Sequence, residues 1–434
     1  MPSPKKTFFQ ILFWSVISAA FIGPGTISTA SKAGSSFGYE LLWALLLSTI
    51  GCIILQEAAA RLPLISGHNL GEAISKRYGK RSFAAILALS AIIVGGIAYE
   101  AGNILGAVSG AGLVLGIDSR WLVLGIGVIA GTLLWRGSYR LLAQLLGIVV
   151  AMMGTAFLAV VVQLGIDWGA FFEGLLIPTL TENSGWLVIG LIGTTIVPYN
   201  LFLGSGIQQE GDIKSMRVGL VVAIALGGLI SMIVLMAATG LEEPFSFGVL
   251  ADYMEAKIGV TGSWLLGFGL FAAGFSSAIT APLAAAITVE SILGKKEKAL
   301  PATQSKRGRW VWIAVLAVGM LFGLLTDGKN ATPEAVIIAA QVLNGLLLPA
   351  ISILLFLLVN DRQLIPEDKL NPLPSNILLL LMVGTTSFLG LVQLLKAGAK
   401  IAGTTLPEGA LPWFGGLALL LIIGLYMKTA RLLK

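Results

Sequence analysis

One cysteine in 434 residues, Cys52, rules out a disulfide within the chain. It lies inside an apolar run and reads as inert core. Charge is scarce too. Only 12% of residues are Asp, Glu, Lys or Arg, whereas soluble domains carry roughly 25%. No polar stretch is long enough for a soluble domain, and the longest such connection, Gly294 to Arg309, is short and basic. No Walker-type phosphate loop, zinc-protease helix or triad context appears, so neither an enzyme nor ATP-driven transport by this chain alone is expected. The single histidine, His68, falls in a loop and is expected to be solvated. No A-x-A-like cleavage site follows the first apolar stretch, so no removable leader is expected.

What fills the sequence instead is apolar. Hydrophobic residues make up 56%, and mean hydropathy is +0.91. Twelve spans of membrane-crossing length are read near 12–36, 40–62, 82–114, 120–135, 141–165, 186–210, 216–240, 262–293, 310–326, 334–359, 375–396 and 411–428. With the amino terminus inside, only Lys32, Arg120, Lys257, Lys329, Lys396 and Lys400 among the basic residues fall at or near the outer side. That bias follows the positive-inside rule and puts both termini in the cytoplasm. The +6 net charge is therefore a topology signal, and no nucleic-acid partner is expected. Glycines 102, 106 and 110 recur four apart on one helix face, which fits close helix packing. Trp14, Trp43, Trp121, Trp186, Trp264, Trp310 and Trp413 sit near span ends and read as interfacial anchors.

Two polar interruptions stand out: Gly23-Pro24-Gly25-Thr26 and Val197-Pro198-Tyr199-Asn200, their prolines 174 residues apart. Proline removes a backbone donor and glycine loosens the helix. Broken helices at matching places in two halves are the best sequence pointer to a transporter's substrate site. Carbonyls exposed at such a break attract cations, and amides attract anions. Thr26, Ser28 and Thr29 add hydroxyls at the first break; Thr194, Thr195, Tyr199 and Asn200 add oxygens and an amide at the second. The third span brings Tyr99, Glu100 and Asn103. A carboxylate in mid-membrane is costly unless paired, protonated or wet, which makes Glu100 a candidate for proton or ion coupling. Glu57 and Arg61, four apart, are expected to form a helix-end ion pair.

The stretches Phe21-Ile22-Gly23-Pro24-Gly25-Thr26, Ala33-Gly34-Ser35-Ser36-Phe37-Gly38-Tyr39, Ser66-Gly67-His68-Asn69-Leu70, Gly193 to Leu203, Ala273 to Thr280 and Gln341-Val342 occur in a specific order. In that order they resemble the Nramp family of divalent metal transporters. The resemblance runs through the tenth or eleventh span and leaves the twelfth outside. It implies an all-α polytopic membrane protein of the LeuT fold, a 5+5 inverted repeat with helices 1 and 6 broken. The first repeat would be about 12–165 and the second about 186–359, with extra helices over 375–428. It implies a single transporter domain. The short loops and the lack of a targeting segment point to a prokaryotic plasma or inner membrane, and no cofactor or obligate protein partner is expected.

The departures fall where the chemistry should be. Against the family pattern, Gly23 stands for a metal-binding aspartate, Thr26 for an asparagine, Val197 for a thioether ligand and Tyr199 for a histidine. Gly204 stands for a second histidine and Leu347 for a glutamine. Glu100 and Asn103 align with two acids of the third helix. The resemblance thus marks Gly23, Thr26, Thr194, Val197, Tyr199, Asn200 and Leu347 as lining a substrate site, with Thr26 and Thr194 as metal-ligand candidates. Without the thioether, soft transition metals lose their selective ligand. Without the aspartate, a bare divalent ion loses the charge that would hold it in low dielectric. Three readings stay open: a secondary transporter of a small ion such as hydrated magnesium, a transporter of a small organic or zwitterionic solute such as an amino acid, and a non-transporting sensor or scaffold. For the second reading, Gly23 and Gly25 are expected to leave room for a carboxylate.

Overall fold

The computed structural model describes residues 22–137, 140–181, 183–207, 212–294, 305–326, 331–401 and 410–432. Residues 12–21 of the expected first span, with Trp14, lie outside them, as do Lys329 and most of the basic connection after Gly294. The elements are α1 (Pro24–Phe37), α2 (Leu42–Ser66), α3 (Leu70–Tyr78), α4 (Phe83–Leu115), α5 (Ser119–Arg136), α6 (Arg140–Leu164), α7 (Trp168–Leu176), α8 (Gly185–Thr195), α9 (Pro198–Ile207), α10 (Ile213–Ala238), α11 (Phe247–Ile258), α12 (Val260–Leu293), α13 (Lys306–Leu325), α14 (Pro333–Val359), α15 (Leu373–Ile401) and α16 (Ala410–Leu432). Among the described residues there is no strand, and nine helical segments are long and apolar enough to cross a membrane. The expected fourth span is a helix, α5, of 18 residues, and is not among those nine.

Local chemistry explains where the helices start and stop. Ser82, Ser246 and Ser305 each accept a backbone N–H of the first turn that follows. Gly67, Gly116 and Gly137 end α2, α4 and α5 in the left-handed conformation. Three helices were not foreseen: α3, α7 and α11, of 9, 9 and 12 residues. Each lies between spans. A reciprocal capping box, in which Asn69 Oδ1 accepts from Glu72 N–H and Glu72 Oε2 from Asn69 N–H, starts α3.

The long helix α4 is the axis of the bundle, packed on α12, α13 and α14. On its small-residue face, a methyl group at Gly106 would run into the Pro24 ring, and one at Gly110 into the α12 backbone at Gly267 and Phe271. The glycine row thus brings α1 and α12 hard against α4. Helix α14 covers α8 and carries α15, and α10 lies against α1 and α2. Trp121, Trp186, Trp264, Trp310 and Trp413 are exposed on the outside of the bundle, as membrane anchors should be. Trp43, expected among them, is buried instead. His68 is also a correction. It is 8% exposed rather than solvated, because the Lys76 side chain of the helix that follows reaches its ring, with Nζ 2.8 Å from Nε2.

Candidate functional site

The two breaks share one geometry. Helix α1 starts with Pro24 in its first turn after an extended Gly23, and Thr26 N–H returns to Gly23 O at 3.0 Å. Helix α8 ends at Thr195; α9 begins at Pro198, and Asn200 N–H returns to Val197 O at 3.0 Å. Each proline takes a position where its missing N–H costs nothing, and each start is closed by the same short turn. In the last turn of α8, Ile192 O accepts the Ile196 N–H at 2.8 Å, and Pro198 has no N–H to offer Thr194 O.

These starts meet. Thr26 Oγ1 and Thr194 Oγ1 lie 3.1 Å apart, a hydrogen bond between the two breaks. Thr195 behaves differently: its Oγ1 donates back to Leu191 O at 2.9 Å and accepts from Ser48 Oγ at 3.1 Å. Thr26, Thr194, Val197, Tyr199, Asn200, Glu100 and Asn103 are each 2% exposed or less. The interior between the breaks is thus closed off from the outer surface of the bundle.

Its chemistry is neutral and rich in oxygen. Tyr99 and Tyr199 meet edge to face, with ring centroids 5.2 Å apart. A Cβ on Gly23 would stand 3.0 Å from Tyr99 Oη and 3.5 Å from Ser277 Oγ. A Cβ on Gly25 would collide with the Gln341 side chain. The room expected beside the two glycines is therefore filled, by a phenol and by an amide. Several of these buried atoms lack a protein partner of good hydrogen-bond geometry: the hydroxyls of Ser28, Ser31, Tyr99, Tyr199 and Ser277, both amide atoms of Asn200, and Gln341 Oε1. Buried polar groups are nearly always satisfied, so these orphaned atoms mark the interior between the breaks as the candidate site.

The remaining candidates sit at the edge. Glu100 faces α13, where Gly319 gives it space. Its Oε2 accepts from Asn103 Nδ2 at 3.4 Å, and its Oε1 has no protein partner. No lysine or arginine among the described residues pairs with it. Leu347 packs on α4, with Cδ1 3.1 Å from the Cβ direction of Gly95; the α14 side chain that reaches the first break is Gln341. Gly204 is overlaid by the Gln56 amide, which donates to Asn200 O at 3.2 Å. Sequence reasoning passed over Gln56, Ser277 and Gln341 as site residues. The available signal was a polar residue in an apolar span, and it does not say which break a residue faces.

The family model described as natural resistance-associated macrophage protein-like matches residues 15–396. It ends within α15, so α16 lies beyond it. A divalent metal cation transporter MntH from Verminephrobacter eiseniae is 28% identical over 361 residues, 77% of each chain. One from Yersinia pestis is 25% identical over 401 residues, covering 88% of this chain and 94% of its own. The crystal structure of an Eremococcus coleocola manganese transporter, in complex with an aromatic bis-isothiourea substituted compound, superimposes with a TM-score of 0.75 at 20% identity. It covers 100% of this chain and 97% of the other, and the fold is the same. The chain is a multi-pass membrane protein of the Nramp family.

Proposed function

We propose that this protein is a secondary transporter that moves a divalent metal ion by alternating access and takes the ion with much of its water shell. Magnesium is the expected cargo. Membership in a family of metal transporters supports the class, and the relatives named above are divalent metal cation transporters. The cargo follows from one observation: the oxygens around the two breaks belong to hydroxyls, amides and carbonyls, with neither a thioether nor a carboxylate at positions 23 and 197. Neutral oxygens hold a bare divalent ion weakly in low dielectric, where the missing aspartate would act most strongly. They suit the outer waters of magnesium, which gives up its shell reluctantly. Soft transition metals lose the sulfur that would select them.

In this reading Gly23, Thr26, Thr194, Val197, Tyr199 and Asn200 line the path of the ion. Glu100, with Asn103 beside it, couples transport to a proton or a second cation. The two repeats, about 12–165 and 186–359, rock against each other around Pro24 and Pro198, with both termini inside a prokaryotic plasma membrane.

Flux into proteoliposomes tests the reading. Magnesium, manganese and a panel of amino acids are offered with and without a pH gradient. Magnesium uptake is expected, with manganese competing no better than magnesium itself. Amino-acid uptake without ion uptake would replace the cargo, and no flux through folded protein would favour a sensor or scaffold. Glu100→Gln is expected to change the pH dependence of uptake; an active variant with an unchanged profile removes Glu100 from coupling.

A further inference from the structure

We propose that Tyr99 is the specificity-determining residue of this site and that it acts as one half of a pair with Gly23. The identity of the cargo rests on the reading above; the pairing does not.

The register of α4 aims Tyr99 at the break. Tyr99 stands seven residues, about two turns, before Gly106, so both lie on one helix face. Gly106 is the residue against the Pro24 ring. The phenol therefore points along α1 toward Gly23, and its Oη lies 3.0 Å from where a Cβ at position 23 would be. Ser277 Oγ, from α12, lies 3.5 Å from the same point. Tyr199 braces the phenol edge to face from the second break. A Cβ at position 23 would press on the phenol oxygen, so a carboxylate there and the phenol in its present place compete for room in a close-packed interior.

The exchange changes what the site offers. A side chain on α1 would bring a fixed negative charge. The phenol, reaching over from α4, brings a hydroxyl that both donates and accepts. Tyr99, Tyr199 and Ser277 are buried; the two phenols lie near each other and that of Tyr199 near Thr280, yet none of the three oxygens has a protein partner of good hydrogen-bond geometry. They are placed to meet the waters of a solvated cation, and they select by the size of the hydrated ion rather than by its softness. Tyr99 occupies the space that an ion bound directly to residue 23 would need.

A double-mutant cycle tests the pair in detergent-purified, full-length protein, read by calorimetric titration with manganese chloride. Gly23→Asp alone is expected to gain less than about threefold in affinity, because the phenol obstructs the new carboxylate. Gly23→Asp with Tyr99→Ala is expected to gain at least about tenfold more than the two single changes together imply. An additive cycle, or full gain from Gly23→Asp alone, overturns the pairing. If Tyr99→Ala does not fold, Tyr99→Ser completes the same cycle. Tyr99→Phe, which removes one oxygen and keeps the ring, is expected to raise the KM for magnesium uptake about fivefold, as for one lost hydrogen bond. An unchanged KM overturns the role of the hydroxyl. Wild-type protein that carries no magnesium sinks the cargo reading, while the manganese cycle still judges the pair.

Discussion

Around Pro24 and Pro198 the side chains that meet are hydroxyls and amides, whereas at the basic end of the bundle they are ions. There Glu57 Oε1 takes Arg61 at 3.2 Å and Arg217 at 2.8 Å, Arg77 pairs with Asp361, and Arg61 also donates to Asn371. The expected pair of Glu57 and Arg61 is present, and Arg217 of α10 joins it. The difference follows from solvent. Charge is inexpensive where long side chains reach water and costly where neither water nor a partner is fixed. The end can therefore hold helices by ion pairs, while the middle holds them by close backbone approach and short hydroxyl contacts. With no acid at position 23 or 197, the cargo is the charged species at the two breaks, while the buried carboxyl of Glu100 stands at their edge.

Breaking the close approach is expected to have the largest effect. A Cβ on Gly193 would run into the backbone of α14 at Gln341 O and Gly345 N. Backbone cannot rotate away, so Gly193→Val should cost about 3 kcal/mol, near the upper range for overpacking. The thermal midpoint of purified protein reads it, and an unchanged midpoint would mean that α8 and α14 are less tightly seated than described.

Next comes the ionic end. Arg77→Ala strands Asp361, whose side chain is 5% exposed. Asp361 Oδ1 keeps the Gln363 N–H at 2.9 Å, so the cost should be about 2 kcal/mol rather than the 3–5 of a fully stranded charge. Arg77→Ala combined with Asp361→Asn should recover part of that loss.

Arg217→Ala should matter less. Arg217 is 53% exposed, and exposed pairs contribute about 0.5 kcal/mol. Its effect should shrink further as salt is raised, while that of Gly193→Val should not change. Equal salt dependence of the two would erase the contrast between the regions.

The smallest effect concerns acid. The Asp212 carboxyl is held below its ordinary range, first by the Ser215 backbone N–H and then by its side chain, since Asp212 caps α10. The sign follows from the lowered value. The cap is complete above the ordinary carboxylate range, about pH 4, and is lost as pH falls through the lower folded value. The protection of the Ser215 amide, its exchange relative to the intrinsic rate at each pH, should fall only in that acid window, and Asp212→Ala should abolish the dependence.

Much of the architecture was legible because it is written in local chemistry. Proline at 24 and 198 marks the start of each half-helix wherever the rest of the chain goes, and the glycine row on α4 announces close packing. The short helices α3, α7 and α11 escaped notice, because a helix of about ten residues carries too few turns for a clear apolar period. At the site, the polar residue types were readable but their pairings were not. That Thr194 bridges to Thr26 while Thr195 bonds its own helix depends on a rotation of about 100° between neighbours. That Tyr99 fills the space beside Gly23 depends on the depth at which α4 lies, which its contact with Pro24 sets.

Calorimetric titration of the unaltered protein with manganese goes straight to the claim that no fixed negative charge awaits the ion at the first break. Binding no tighter than roughly millimolar, with magnesium uptake intact under the same conditions, is what a neutral, water-accepting interior gives. Saturable manganese binding in the micromolar range would contradict it.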